Sequence, residues 1–451
     1  MMDFCVTHCN PLLVPVQMRK FVSIVFNNAK NIGGKLLLMM FALSIISGCS
    51  LIANTNANQN TNKNNITNST LNPIAKKALR LGGEQSSRYY PYLKNKRVGV
   101  IVNQTSVLFP NTAKATHLVD ALIANDINVI KVFAPEHGFR GDRGAGETIE
   151  DNIDSRTGLP IISLYGKNKA PTEQMLADVD VLIFDIQDVG VRFYTYISTM
   201  HYAMQAAAQY HIPFIVLDRP NPNGQYIAGP VLEMSLQSFV GMHPIPLVHG
   251  LTVGELATMI QAEQWIEFAD QLNLRVIPVQ GYHKSMSYPL PIAPSPNLPN
   301  AQAVQWYASL CLFEPTHISV GRGTDYPFQM IGHPQLTLSN SPVEVTPISM
   351  PASAPYPKWE NTPLQAVLIE QYQPDLAGFD ISLLVAMFDL GRQQQVELIT
   401  SPDFFDKLAG TTTLRHDLEA GKTAFEIVEK WQQPLAQYQK LRLPYLLYPA
   451  K

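Results

Sequence analysis

Between Arg97 and Arg219 the chain carries five nearly continuous apolar runs: RVGVIVN (Arg97–Asn103), NVIKVFA (Asn128–Ala134), PIISLYG (Pro160–Gly166), VDVLIFDI (Val179–Ile186) and PFIVLDR (Pro213–Arg219). A strand with one wet face alternates apolar and polar residues. Runs that stay apolar fit strands buried on both faces, the condition of a parallel sheet covered by helices. Helix-like stretches lie between several of them, at Ala113–Asn125, Thr172–Ala177 and Thr199–Tyr210, the last built around Ala206-Ala207-Ala208. This alternation predicts an α/β fold with a doubly wound, mostly parallel sheet over residues 93–299. After about Asn300 the pattern changes. Residues 300–451 read as a smaller α+β domain, with helices at Leu364–Gln371 and Thr423–Tyr438, a short strand at Asp380–Leu384, and a proline-rich segment over Thr346–Pro363.

In an open α/β sheet, ligands bind outside the carboxyl ends of the parallel strands. The residues that follow each run therefore share one rim. The first run ends in Asn103-Gln104-Thr105, the second in Glu136-His137-Gly138 with Arg140 and Arg143 beyond, and the third in Tyr165-Gly166. The fourth gives Asp185, Gln187 and Asp188, then Arg192 and the aromatic run Phe193-Tyr194-Thr195-Tyr196. The fifth gives Asp218, Arg219 and Asn221. Two further polar loops are expected to close over the rim: His249–Thr252 with Glu255, and Glu314–Asp325, which contains Arg322.

These residue types limit the chemistry. The first run lacks a G-x-G-x-x-G turn and no G-x-x-x-x-G-K-[ST] loop occurs, so no nucleotide cofactor is expected. A serine nucleophile would want a G-x-S-x-G elbow, which is absent. No H-E-x-x-H helix or cysteine pair offers close metal-ligand spacing. His137, His201, His249 and His317 with Asp185 or Asp188 are the only alternative, and no metal is expected. A net charge of −3 without a Lys/Arg cluster argues against nucleic-acid binding. Carboxylates, amides and flat aromatics suit a sugar site, where carboxyl groups do acid/base work on a glycosidic bond and tyrosine faces stack on a ring. For Tyr194 and Tyr196, core packing stands as the equal alternative.

The N-terminus speaks for the cell envelope. Arg19, Lys20, Lys30 and Lys35 precede the run LLLMMFALSII, which closes on Ser47-Gly48-Cys49. Basic flank, short apolar core and small residues describe a secretory signal over residues 1–48, with Met18 as the start and Met1–Gln17 as an upstream extension. A membrane span needs roughly 20 apolar residues, so this run is too short for one. The Ile-Ser-Gly-Cys ending resembles a bacterial lipobox, which implies lipidation of Cys49. Ser50 in place of Asp points, by the same resemblance, to the outer membrane. The Asn-rich stretch Asn54–Thr70 cannot bury enough apolar surface to order itself, and residues 49–85 read as a flexible tether. Cys5 and Cys9 fall in the removed segment, which leaves Cys311 without a partner. The mature chain therefore stands on its hydrophobic core, and 46% hydrophobic residues in 451 suffice for one.

Longer stretches carry a family resemblance: PEHGFRG, DVLIFDIQDVGVRFYTYISTM, VLDRPNPNG, FVGMHPIPLVHGLTVGEL, PSPNLP, CLFEPTHISVGRGTDYPFQMIG and LAGTTTLRHDLEAGKTAFEIVEKWQ. From about Leu93 to the end the chain resembles the NamZ-type exo-β-N-acetylmuramidases, with Pro315 as a departure where glycine is expected. The resemblance implies a Rossmann-like domain without a nucleotide, an auxiliary C-terminal domain and a cleft between them. It implies release of terminal N-acetylmuramic acid from the non-reducing end of peptidoglycan fragments, with muropeptides and disaccharides as partners. The PEHG glutamate falls on Glu136 as general acid, and Asp188 or Glu314 would supply the second carboxylate. The lactyl carboxylate of the sugar calls for a guanidinium fork. Arg140, Arg192 and Arg322 are the candidates, Arg192 first, and the alternative for each is to pin a loop by pairing with Asp142, Asp188 or Asp325. Asn103, His137, Gln187, Tyr194, Tyr196, Asp218, Arg219, Asn221, His249 and Asp325 complete the expected binding set. A non-catalytic muropeptide-binding lipoprotein on the same fold is the alternative function.

Overall fold

The structure is a computed structural model that describes residues 78–140, 152–338, 343–369 and 378–450. The signal-like run, Cys49, the Asn-rich tether, Asp142 and Arg143 lie outside the described residues. From Ala78 onward the chain forms one compact unit.

The five apolar runs are strands. The main sheet contains β1 (Val98–Val102), β4 (Val129–Ala134), β5 (Asn152–Ile153), β6 (Pro160–Ser163), β7 (Val181–Asp185), β8 (Phe214–Leu217) and β11 (Leu274–Ile277). A small hairpin of β2 (Val107–Leu108) and β3 (Thr116–His117) intervenes, and β9 (Ala228–Val231) pairs with β10 (Pro246–Val248) beside the main sheet. The order is β11-β8-β7-β1-β4-β6-β5, parallel throughout except for β5 at one edge. All five residues of β1 and of β7 are buried, as strands covered on both faces require. From β1 the chain builds outward through β4 and β6, then returns to the other flank of β1 with β7, β8 and β11. The order therefore reverses between β1 and β7. Their carboxyl ends flank the switch point, where a crevice opens in such sheets.

Two helices position the rim. Tyr196–Gln209 buries eleven of its fourteen residues, including the alanine triplet. Val253–Ala262 starts on a capping box: Thr252 Oγ1 accepts from the Glu255 N–H and Glu255 Oε2 accepts from the Thr252 N–H at 2.9 Å. Ala301–Leu310 leads into the smaller part. There β12 (Met330–His333), β13 (Val343–Val345) and β14 (Leu364–Leu368) form an antiparallel sheet in the order β12-β14-β13, followed by five helices between Ser382 and Leu441. The architecture is the expected α/β sheet with a smaller α+β part. Among the described residues no helix is long and apolar enough to cross a membrane.

Three local expectations are corrected. Leu364–Gln371 was expected as helix, but Leu364–Leu368 is the central strand of the small sheet. Leu364 and Ala366 are buried around exposed Gln365, and pairing on both sides overrides the helical propensity of the segment. Asp380–Leu384 was expected as strand, but Asp380 Oδ1 accepts from the Ser382 N–H and a helix runs over Ser382–Gln394. Thr423–Tyr438 is two helices, Ala424–Glu429 and Gln432–Leu441, broken at Lys430-Trp431. Pro434 lies in the first turn of the second, where a missing N–H costs nothing.

Candidate functional site

The chain leaves β4 through Pro135 and turns at once. The Gly138 N–H meets the Pro135 carbonyl at 3.0 Å, and His137 and Gly138 both have positive φ, +69° and +78°. A positive φ is ordinary for glycine but strained for histidine, and such backbone concentrates at functional sites. The turn holds Glu136 half-buried at the corner, with His137 buried behind it. Thr195 stands at the start of the helix Tyr196–Gln209 but does not cap it. Its hydroxyl instead donates to Glu136 Oε2 at 2.6 Å. The positive end of that helix therefore lies beside the carboxylate. Tyr165, after β6, also hydrogen-bonds Glu136, and its phenol is raised by burial and by the Glu136 charge.

At the switch point, Asn103 follows β1 and Asp188 follows β7. Asn103 Oδ1 accepts from the N–H and the hydroxyl of Thr105, while its buried side-chain amide lies by the Tyr196 hydroxyl. Asp188 Oδ1 accepts from the Gly190 N–H at 2.6 Å, and Oδ2 is buried without a partner among the described residues. Burial pushes the Asp188 carboxyl up to about 7, although the amides of Gly190 and Val189 oppose the shift. Gly190 has φ +76°, and a Cβ there would lie 2.3 Å from the Asn221 amide, so only glycine fits. Gln187 Nε2 donates to the carbonyls of Asp188 and Pro220.

Tyr194 and Tyr196 form a buried T-shaped pair, ring centroids 4.8 Å apart, and both hydroxyls donate to the Pro294 carbonyl at 2.8 and 3.3 Å. Both packing and polar roles thus apply, because the pair links the Pro294 loop to the Glu136 turn, whose carbonyl the Tyr196 hydroxyl reaches at 3.5 Å. The Tyr196 hydroxyl is raised by burial and by the charges of Glu136 and Asp188, so it lies within electrostatic reach of both carboxylates. Tyr194 contacts Tyr307 at 5.7 Å, and Tyr307 contacts Phe328. The guanidinium of Arg322 lies 4.9 Å over Phe328 and its Nε donates to Glu314 at 2.7 Å. Burial alone would raise Glu314, but the charges of Arg322 and Lys358 outweigh it and hold this carboxyl low. Aromatic rings thus connect the carboxylate ends of the two parts of the fold.

The remaining rim residues serve other ends. Arg192 does not line the rim. It has zero exposure, and its guanidinium donates to the carbonyls of Pro230, Ile245, Leu408 and Ala409 at 2.7–3.0 Å. It pins the C-terminal part to the sheet, with backbone oxygens rather than an aspartate as partners. Arg140 donates twice to Asp154, and Arg322 to Glu314, so all three expected carboxylate readers are engaged within the protein. Arg219 pairs with buried Asp185 at 2.6 Å. Asp218, also expected on the rim, accepts from Thr252, Gly254 and the C-terminal Tyr448, and burial pushes it up to about 6. Asn221 holds Leu251 and Asn223. His249 accepts from the Leu251 N–H, and its own carbonyl accepts from Tyr438. Burial, then the nearby cations Lys284, Arg442 and Arg192, hold its imidazole down at about 3. Asp325 is exposed. The strand-end polar groups therefore divide into a set around Glu136 and a set that docks the C-terminal segment. Among the described residues no group of three or more His, Cys, Asp and Glu side chains is placed to hold a metal.

Thr195 and Tyr165, expected on the rim but not in the binding set, and Tyr307 and the Pro294 loop also belong to the surroundings of Glu136. Thr195 and the Pro294 loop lay inside motifs already singled out. Tyr165 stood at a recognised strand end. Tyr307 carried no signal, because its place depends on how the helix Ala301–Leu310 packs.

Two family models together span nearly all of the described fold: the N-terminal domain of exo-β-N-acetylmuramidase NamZ matches residues 98–302, and the C-terminal domain matches residues 305–448. The chain belongs to the NamZ exo-β-N-acetylmuramidase family. This NamZ-family chain is 40% identical over 379 residues to the peptidoglycan β-N-acetylmuramidase NamZ of Bacillus subtilis (strain 168), covering 80% of this chain and 89% of that one. Two crystal structures of DUF1343 family proteins from Bacteroides fragilis NCTC 9343 share the fold. One, at 1.30 Å resolution, is 39% identical with a TM-score of 0.72 and covers 83% of this chain and 100% of its own. The other, at 1.65 Å, is 30% identical with a TM-score of 0.70 and covers 82% and 99%.

Proposed function

We propose that this NamZ-family glycoside hydrolase releases terminal N-acetylmuramic acid from the non-reducing end of peptidoglycan fragments during cell-wall turnover, with Glu136 as general acid. The observation that carries the role is the position of Glu136. It is half-buried at a strained corner beside the switch point, and Thr195 and Tyr165 hold its carboxyl group. A fixed carboxyl can deliver a proton to the leaving-group oxygen only if its rotamer is set in advance, and these two hydroxyls set it. Asp188 is the second carboxylate. Glu314 is neutralised by Arg322, whereas Asp188 has an oxygen without a partner among the described residues and shares the Tyr196 hydroxyl's surroundings with Glu136. The test is release of free N-acetylmuramic acid from a disaccharide by purified wild type, Glu136→Gln and Asp188→Asn.

The same proposal includes a lipid anchor on Cys49 and a place at the periplasmic face of the envelope, with the outer membrane as address. The basic flank, the LLLMMFALSII run and the Ile46-Ser47-Gly48-Cys49 box support it, and the Asn-rich tether would lift the fold off the membrane. A Cys49→Ala variant is expected in the soluble fraction of lysed cells, while the wild type sediments with membranes.

A further inference from the structure

We infer that Lys169, on an aromatic ledge next to Glu136, reads the lactyl carboxylate of the terminal sugar; the inference rests on the muramidase reading above. The three arginines expected to read the carboxylate are already partnered: Arg140 by Asp154, Arg322 by Glu314, and Arg192 by four carbonyls. Lys169, in the loop after β6, is exposed, and among the described residues no carboxylate lies within ion-pairing distance of its Nζ. The Nζ instead sits 4.6 Å from the centroid of the Phe239 ring. A cation over a ring face keeps its position without being neutralised, so its charge stays available to an anion.

The ledge is continuous with the acid. Tyr165, which hydrogen-bonds Glu136, lies 6.0 Å from Phe239 centroid to centroid. Tyr202, on the helix that begins beside Glu136, stacks against the same ring at 6.3 Å with 15° between planes. Phe239 itself is fixed at the tip of a tight turn, where Ser238 and Gly241 exchange both backbone hydrogen bonds at 2.9 Å. Glu136, Tyr165, Phe239 and the Lys169 ammonium are thus linked contact by contact. A pyranose protonated at its glycosidic oxygen by Glu136 would lie along the rings, with its 3-O-lactyl arm extending to Lys169. N-acetylglucosamine lacks that arm and gains nothing from the ammonium.

The experiment measures Lys169→Gln and Lys169→Arg in the full mature protein, with a chromogenic β-N-acetylmuramide as substrate and free N-acetylmuramic acid as calorimetric ligand. Loss of a partly exposed charge pair is expected to raise KM and Kd about fivefold, with kcat within about twofold of wild type, and arginine should restore most of the loss. Salt should raise the wild-type KM and leave that of Lys169→Gln flat, because only the former depends on a screened charge. Lys169→Gln with wild-type KM, Kd and salt dependence overturns the inference. Absence of turnover in the wild type would contradict the muramidase reading instead, and the calorimetric Kd values would still decide the role of Lys169.

Discussion

Thr195 donates its hydroxyl proton to Glu136 Oε2 at 2.6 Å, although Thr195 stands where a helix would use that hydroxyl as its cap. A threonine at such a position ordinarily accepts from a backbone N–H in the first turn. Here the helix gives up the cap and the carboxylate gains an orienting partner. Thr195→Val keeps the shape and removes the donor. Hydrogen bonds to charged groups are worth about 1.5–3 kcal/mol. The expected result is a kcat lowered about 10- to 100-fold with KM little changed, read by steady-state kinetics. Equal losses in thermal stability and kcat would mean that the bond serves the fold alone.

In its proposed role as second carboxylate, Asp188 would join activity to pH-dependent stability. Its carboxyl is raised from an ordinary 3.8 to about 7 by burial, so the folded state binds its proton more tightly than the unfolded chain does. The penalty is absent below the unfolded value, grows as pH rises, and is complete above about pH 7. Asp188→Asn keeps the acceptor for the Gly190 N–H and removes the charge. Denaturant unfolding should show the variant more stable than wild type by about 1–3 kcal/mol at pH 8 and equal to it near pH 4, a discounted fraction of the full shift. Turnover should fall at least about 100-fold. A variant destabilised at pH 8 would contradict this account.

The buried histidines act at the other end of the pH scale. Burial lowers His201 from 6.5 to about 4, and His249 is held at about 3. Their neutral forms fit the fold, so their contribution is complete above the unfolded value of 6.5 and is lost as pH falls toward 4. His201 Nδ1 lies 3.0 Å from His243 Nε2, so protonating one ring places charge against its neighbour. Urea midpoints should drop between pH 6.5 and 4.5, and His201→Gln should flatten that drop. An unchanged slope in the variant would remove His201 from the explanation.

Arg192 is a clamp between the two parts of the chain. Its Nη1 serves Pro230 and Ile245, and its Nη2 serves Leu408 and Ala409 more than two hundred residues away. Lysine cannot present two donor nitrogens in a plane, so Arg192→Lys leaves some of those carbonyls unpaired. The expected cost is about 2–4 kcal/mol of stability. The ratio of activities on muramic and glucosamine substrates should not change. A variant of full stability and altered sugar preference would return Arg192 to the binding site.

Much of the sheet was legible because burial on two faces writes itself into consecutive residues, and all five apolar runs became strands within a few residues of their expected ends. That Asn103, Glu136 and Asp188 each follow the carboxyl end of a parallel strand was legible from strand direction alone. Partner choice was not legible. Whether Arg192 meets a substrate or the carbonyl of Ala409 depends on packing across the whole chain, and nothing local distinguishes the two. The same limit explains β14, where the residues of Leu364–Leu368 favour helix and the strands on either side decide otherwise. Tyr165 and Lys169 were visible as residues, but their relation to Phe239 exists only once the β9–β10 turn is folded.

The central claim is that Glu136 transfers the proton that breaks the glycosidic bond. Glu136→Gln is nearly isosteric, and its amide oxygen can still accept from Thr195. The most direct measurement is release of N-acetylmuramic acid from a muramic disaccharide by wild type and variant, with calorimetric binding of the free sugar as a control for folding. The account predicts unchanged binding and turnover lowered by about 10²–10⁴-fold, the range that general acid catalysis contributes. Turnover within about twofold of wild type, with binding intact, would contradict it.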